Sequence, residues 1–218
     1  MGRGHFISFE GLDGAGKTTQ IDLLELWLSE RSIPYIRTRE PGGTPLGVGI
    51  RDLLFGHPEL TITPLAEAFL FQADRAQHFA TLILPALAAG TLVVTDRCFD
   101  SSIAYQGAAR GVGTELVEKL SLLATQGYVP DLTFFLDLDP SQVYARTDNA
   151  GAGNGTREQP TRFDRASEQF QQRLRQAFLT LADEHPARIK VINAAQPPEQ
   201  VQRQIISHVE QLLRGTSL

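Results

Sequence analysis

Apolar residues fall along this chain in two rhythms, short unbroken runs and helix-spaced repeats, and the two alternate from one end to the other. His5-Phe6-Ile7-Ser8-Phe9-Glu10 predicts a first strand. Leu23, Leu24, Trp27 and Leu28 then recur at helical spacing in a helix over 20–30, which Pro34 stops. A second strand is expected over 35–38, followed by the turn-rich stretch Arg39-Glu40-Pro41-Gly42-Gly43-Thr44-Pro45 and a helix over 46–55. Residues 64–87 carry a long helical period with a break expected at Pro85, and 91–95 form a continuous apolar run of the kind buried on both faces of a parallel sheet.

Helices are expected over 99–108 and 115–125 on either side of Gly111-Val112-Gly113, with a fourth strand over 132–137 and a helix beginning at 141–146. Residues 147–163 have no period and hold Gly151, Gly153, Gly155 and Pro160, so they read as a lid segment. A helix over 165–184, a fifth strand over 189–193 and an amphipathic helix over 199–213 complete the series. Strands alternating with helices predict an α/β fold, an open five-stranded parallel sheet with helices on both faces. There is no internal repeat or linker, so residues 1–218 are expected to form one domain with a lid at 147–163.

Composition narrows the partners. The chain has 218 residues, 42% hydrophobic and 21% charged, with a formal charge of -5, which argues against a nucleic-acid surface binder. Its one cysteine, Cys98, excludes an intrachain disulfide and fits a reducing cytoplasm. The longest uncharged run, 79–95, is interrupted by Pro85 and Gly90 and is too short for a membrane span. Met1 leads into the first strand without a signal-peptide core, and Phe6 stands where myristoylation wants Ser or Thr.

Between the first strand and helix lies Gly11-Leu12-Asp13-Gly14-Ala15-Gly16-Lys17-Thr18-Thr19, a complete P-loop in the strand-loop-helix context that the motif requires. Its N–H groups can surround the phosphates of ATP at the positive end of the next helix, with Lys17 on the terminal phosphates and the Thr18 hydroxyl on Mg2+. The plainer alternative is a glycine turn. The loop alone does not separate a kinase from a GTPase or a motor.

Asp96-Arg97 closes the strand over 91–95, where a carboxylate can hold Mg2+ through water and a guanidinium can grip a phosphate; the alternative is a surface ion pair. Phe71 and Arg75 share a helix face, suiting a ring that stacks on a base and a donor to its carbonyl. Taken singly, they read as core and as a solvated charge. Ser102, Tyr105 and Gln106 share another face, and Gln106 carries both a donor and an acceptor.

Together with Glu10, Thr38-Arg39-Glu40-Pro41-Gly42-Gly43-Thr44, Phe71-Gln72-Ala73-Asp74-Arg75-Ala76-Gln77, Tyr105-Gln106-Gly107 and Pro130-Asp131-Leu132-Thr133, these segments resemble bacterial thymidylate kinases, in order from Phe6 to about Asn193. The resemblance implies a P-loop fold that moves a phosphoryl group from ATP to thymidine 5′-monophosphate (dTMP) with Mg2+. It implies that Asp13 accepts from the 3′-hydroxyl, that Arg51 and Arg97 hold the acceptor phosphate, and that Glu40 and Asp96 lie near it and the metal. Phe71 would stack on thymine, Arg75 would bond its O4, Ser102 and Gln106 would face the base edge, and Tyr105 would crowd the 2′ position. Asn193 to Gln196 would lie near adenine, and a homodimer would form through apolar helix faces.

Cys98 stands where the family often has Tyr or His, and Ser167 where it often has Glu. Ala15 leaves the P-loop without an arginine of its own, so the lid is expected to supply one from Arg157, Arg162 or Arg165, with Arg157 preferred as mid-loop. A deoxynucleoside kinase and a non-catalytic nucleotide sensor are the competing readings.

Overall fold

A computed structural model describes residues 3–143, 163 and 167–215; of the segment 147–163 expected to form a lid, only Phe163 is among them. Five strands of the described residues pair into one sheet: β1 (Phe6–Gly11), β2 (Tyr35–Arg39), β3 (Leu92–Asp96), β4 (Leu132–Asp137) and β5 (Ile189–Asn193). Their order is β2-β3-β1-β4-β5 and every pairing is parallel. This is the open sheet that the alternating pattern predicted, since parallel neighbours need a crossover long enough to hold a helix.

Burial follows position in the sheet. Every residue of β1 is buried, as are the first four of β3 and the first five of β4, whereas β2 and β5 at the edges are mixed. On one side α1 (Lys17–Glu30) packs against β1 and β3 and against α8 (Pro198–Arg214), which also meets β5. On the other, α5 (Phe99–Ser102) and α7 (Glu168–Glu184) meet each other and reach β1, β4 and β5. Aromatic pairs fill the space between layers: Phe9 lies 5.2 Å from Phe134, and Phe135 stacks at 4.9 Å on Phe178.

Two helical stretches depart from the pattern in the same way. The helix expected over 64–87 is α3 (Pro64–His78), a π-helical stretch (Phe79–Ile83) and α4 (Leu84–Ala88), with no break at Pro85. A proline inside an α-helix removes one bond and collides with the carbonyl four residues back; the wider turn ahead of Pro85 relieves that collision, so the path continues. Likewise the stretch over 99–108 is α5 followed by a π-helical segment (Ile103–Ala109), in which the Arg110 N–H donates to the Tyr105 carbonyl at 2.8 Å. The remaining helices, α2 (Pro45–Phe55) and α6 (Thr114–Ala124), pack on α3.

β1 lies between β3 and β4, so the connections on its two sides leave in opposite directions and a crevice opens beyond its carboxyl end. That end is Gly11, the first residue of the P-loop.

Candidate active site

The local chain geometry at the end of β1 is set by its glycines. Gly11 has φ 140°, and a Cβ there would stand 2.7 Å from the Leu136 carbonyl of the adjacent β4, so the neighbouring strand excludes any side chain. Gly16, at φ 98°, turns the chain into α1, whose start has no side-chain cap. An uncapped helix start leaves N–H donors and a positive dipole end for an anion. Lys17 is buried, and its Nζ donates to the Leu12 carbonyl at 3.0 Å and the Gly11 carbonyl at 3.3 Å, 3.7 Å from Asp13 Oδ1. Burial, and then the nearby Arg97 guanidinium, pull its pKa below the usual lysine range against the opposing pull of Asp13 and Asp96. Thr18 and Thr19 are exposed in the first turn.

Just past β3, Arg97 takes φ 69°, a left-handed conformation that costs a non-glycine residue about 1 kcal/mol or more. Its surroundings compensate: the N–H donates to the Phe9 carbonyl at 2.9 Å, Nη2 to Asp13 Oδ1 at 2.6 Å and Nη1 to Ser101 Oγ at 3.0 Å. The guanidinium lies 5.1 Å from the Tyr105 ring centre. Glu10, fully buried, supports this turn by accepting from the Cys98 N–H at 2.7 Å and from the Ser101 hydroxyl.

Burial, and then the Asp100 carboxylate, push the Glu10 pKa up to about 8. The unfolded chain releases that proton near its ordinary value while the folded chain holds it, so this group's stabilisation is complete below about pH 4.5 and is lost as pH rises through about 8. Wild-type protein is therefore expected to lose a few kcal/mol between pH 5 and 9 from this group, at about 1.4 kcal/mol per pKa unit. Glu10→Gln should flatten that loss in thermal unfolding compared at the two ends; an unchanged difference would remove Glu10 as its source.

From Arg97 a cleft of about 520 Å³, its open mouth included, runs away from the P-loop between α2, α3 and the Ile103–Ala109 segment. Its apolar walls are Phe55, Phe71, Tyr105 and Phe163. Phe55 stands 6.4 Å from Phe71 and 6.1 Å from Phe163, which is 5.2 Å from Tyr105. Phe71 is half-buried on this wall, not sunk in the core. Arg51 donates to the Pro41 carbonyl at 3.2 Å and lies 5.4 Å from the Phe55 ring centre.

Arg75 is 1% exposed, which rules out a solvated charge. Its Nε donates to Glu40 Oε2 at 2.9 Å, Nη1 to Gln72 Oε1 at 3.0 Å and Ser121 Oγ at 3.3 Å, and Nη2 to Ser102 Oγ at 3.1 Å. The other oxygen of Glu40 meets His78 Nδ1 at 3.0 Å, and His78 Nε2 meets Thr38 Oγ1 at 2.7 Å. Burial raises the Glu40 pKa, but Arg75 and then His78 outweigh it and hold the carboxyl below the usual range. Glu40 thus faces Arg75 and His78, where the resemblance had implied a place beside phosphate and metal.

Asp13, Glu40, Arg51, Phe71, Arg75, Arg97, Ser102, Tyr105 and Gln106 all line this one cleft. Thr18 and Asp96 do not; they sit at the start of α1 and the end of β3. Asn193 is farther off, at the end of edge strand β5, its Oδ1 accepting from the Ala195 N–H at 2.9 Å. Arg157, Arg162 and Arg165 lie outside the described residues. Ser167 caps α7 by accepting from the Phe170 N–H at 3.3 Å.

Phe55, Ser101 and Phe163 went unmarked in the sequence. Only Phe55 carried a signal, standing four residues after Arg51 on the same face of α2. Phe163, assigned above to the lid, is buried against Tyr105 and Phe170.

A sequence model of the family described as Thymidylate kinase matches residues 9–205. A thymidylate kinase of Bifidobacterium longum subsp. infantis is 45% identical over 97% of this chain and 88% of its own length. Those of Chlorobium chlorochromatii and Clavibacter michiganensis are 42% and 45% identical, over 95% and 96% of this chain and the same shares of their own lengths. On a match of this extent, carried by the P-loop and by the cleft that Arg97 joins to it, the chain belongs to the thymidylate kinase family.

Proposed function

We propose that this protein transfers the γ-phosphoryl group of ATP to dTMP, giving ADP and thymidine 5′-diphosphate. The observation that carries this reading is the 2.6 Å bond between Arg97 and Asp13, which makes the P-loop and the aromatic cleft two arms of one site meeting at a guanidinium. ATP would lie along Gly11 to Thr19, with its adenine toward Asn193, and Lys17 would turn from the Gly11 and Leu12 carbonyls to the terminal phosphates.

Thr18 and Asp96 would hold Mg2+, which supplies neutralisation of charge on the ATP phosphates when bound. Their hard oxygens suit that ion, and no cluster of three or more His, Cys, Asp or Glu among the described residues offers a closed protein cage, as befits a metal shared with phosphates.

In the other arm, Phe71 would stack on thymine, Arg51 and Arg97 would grip the acceptor phosphate, and Asp13 would take the 3′-hydroxyl. Tyr105 would fill the 2′ position. Every donor of Arg75 already has a protein acceptor, so O4 would replace the Ser102 hydroxyl on Nη2. With a second pKa of about 6, the acceptor phosphate is largely a dianion at neutral pH, and the work left is positioning and neutralisation. Arg157 is proposed as the cation that the P-loop, with Ala15, lacks.

A deoxynucleoside kinase would phosphorylate a neutral hydroxyl and have little use for both Arg51 and Arg97 in the acceptor cleft. ADP release measured across dTMP, dUMP, UMP, CMP, AMP and thymidine tests the assignment: dTMP is expected to lead, a lead for thymidine would sink it, and silence with every acceptor would favour a nucleotide sensor. We further propose a homodimer, because Leu65 and Phe69 on α3 and Leu116 and Leu123 on α6 are exposed on two helices that pack together. Light scattering is expected to give twice the chain mass; the mass of one chain at micromolar concentration would exclude it. The lone, buried Cys98 fits a cytoplasmic setting, and no described helix is long and apolar enough to cross a membrane.

A further inference from the structure

Gln106 is 1% exposed and lines the base end of the cleft. Its Nε2 donates at 2.9 Å to Oε1 of Glu67, a fully buried side chain on α3 that does not line the cleft. The second Glu67 oxygen pairs with Arg110 Nη2 at 3.3 Å, and Arg110 is tied further to the Ile62 carbonyl at 3.3 Å. A carboxylate only accepts. The Gln106 amide can therefore meet it in one orientation, nitrogen toward Glu67 and oxygen away, and no described residue donates to that oxygen.

We propose that Glu67 is a positioning residue for base selection: by holding the Gln106 amide it turns a carbonyl acceptor to the cleft beside the Arg75 donors. The inference rests on the dTMP reading above. Thymine and uracil present a carbonyl next to an N3–H donor, which this acceptor-donor pair matches. Cytosine presents an amino group next to an N3 acceptor, the reverse of both. Selection against cytosine then resides partly in a residue that touches no substrate, because leaving two acceptors or two donors face to face is the costly outcome. The methyl group of thymine plays no part, so Glu67 should not affect the choice between dTMP and dUMP.

The test uses the full-length protein and dissociation constants for dTMP, dUMP and dCMP measured by calorimetry. In Glu67→Gln the new amide can either accept from or donate to Gln106, which frees the flip. The preference for dTMP over dCMP should fall about 10-fold while the preference for dTMP over dUMP stays as in wild type. In a Gln106→Ala background the same substitution should change neither ratio, the non-additivity expected of residues acting through one another. A role limited to packing would lower the melting temperature and weaken all three ligands alike.

Should Glu67→Gln not fold, Glu67→Asp keeps the charge opposite Arg110 and withdraws the carboxylate from Gln106, with the same loss of preference expected. A dTMP over dCMP ratio within about twofold of wild type in the folded variant overturns the proposal while leaving the dTMP reading intact. A wild-type protein that does not prefer dTMP over dCMP overturns both.

Discussion

Replacing Lys17 by alanine is expected to lower kcat by at least about 10³-fold while leaving dTMP affinity nearly unchanged. The loss of one preorganised donor to a developing oxyanion costs about 10²–10³-fold in other enzymes, and this donor also carries a full charge. The split between the two constants follows from placement: Lys17 lies within the P-loop and does not line the cleft. Lys17→Arg should not rescue, because a planar fork cannot occupy the point at which one ammonium reaches both the Gly11 and Leu12 carbonyls. Burial and Arg97 lower the Lys17 pKa, so its charge is lost at a pH below the ordinary lysine range. Activity should decline on that alkaline limb, and kcat followed against pH would show it. Turnover within tenfold of wild type in Lys17→Ala would remove Lys17 from the chemistry.

The second large effect is expected at Arg157. Glycine and alanine at positions 14 and 15 add no charge to the P-loop, and the cations of the described site that could reach a transferring phosphoryl group are Lys17, Arg51 and Arg97. Arg97 is committed to Asp13 and Ser101, and Arg51 stands with Phe55 and Pro41 on the acceptor side. A cation from the chain between 147 and 163 would complete the set, and Arg157→Ala should then lower kcat by about 10³-fold with little change in the KM for dTMP. Single-turnover rates for Arg157→Ala, Arg162→Ala and Arg165→Ala, compared side by side, identify the contributor. A near-normal rate at Arg157 with a collapse at either neighbour would move the role to that neighbour.

Features encoded by neighbouring residues were legible before any coordinates. The P-loop needs only its own glycines, Lys17 and the strand and helix beside it, and the parallel sheet follows from the alternation of apolar runs with helical periods. What escaped was set by distant contacts. Nothing local announces that Arg97 adopts a left-handed conformation, since Phe9, Asp13 and Ser101 hold it there from three other segments. Arg75 looked like a charge for solvent or substrate, and only the convergence of Glu40, Gln72, Ser102 and Ser121 makes it a fully bonded buried cation. Glu67, in a run of alanine and phenylalanine, gave no sign that it would meet Gln106 across the molecule.

The wide helical stretch from Ile103 to Ala109 also acts as a phase setter. One residue corresponds to about 100° of rotation in an α-helix, so each residue gained or lost within such a turn re-aims everything downstream on the helix. Here it lets Ser102, Tyr105 and Gln106 front the same cleft and still delivers Gly113 to the start of α6. Substitutions of comparable size could be absorbed along this stretch, but a change in its length by a single residue could not. The recognition surface is thus specified by a count of residues as much as by their identities.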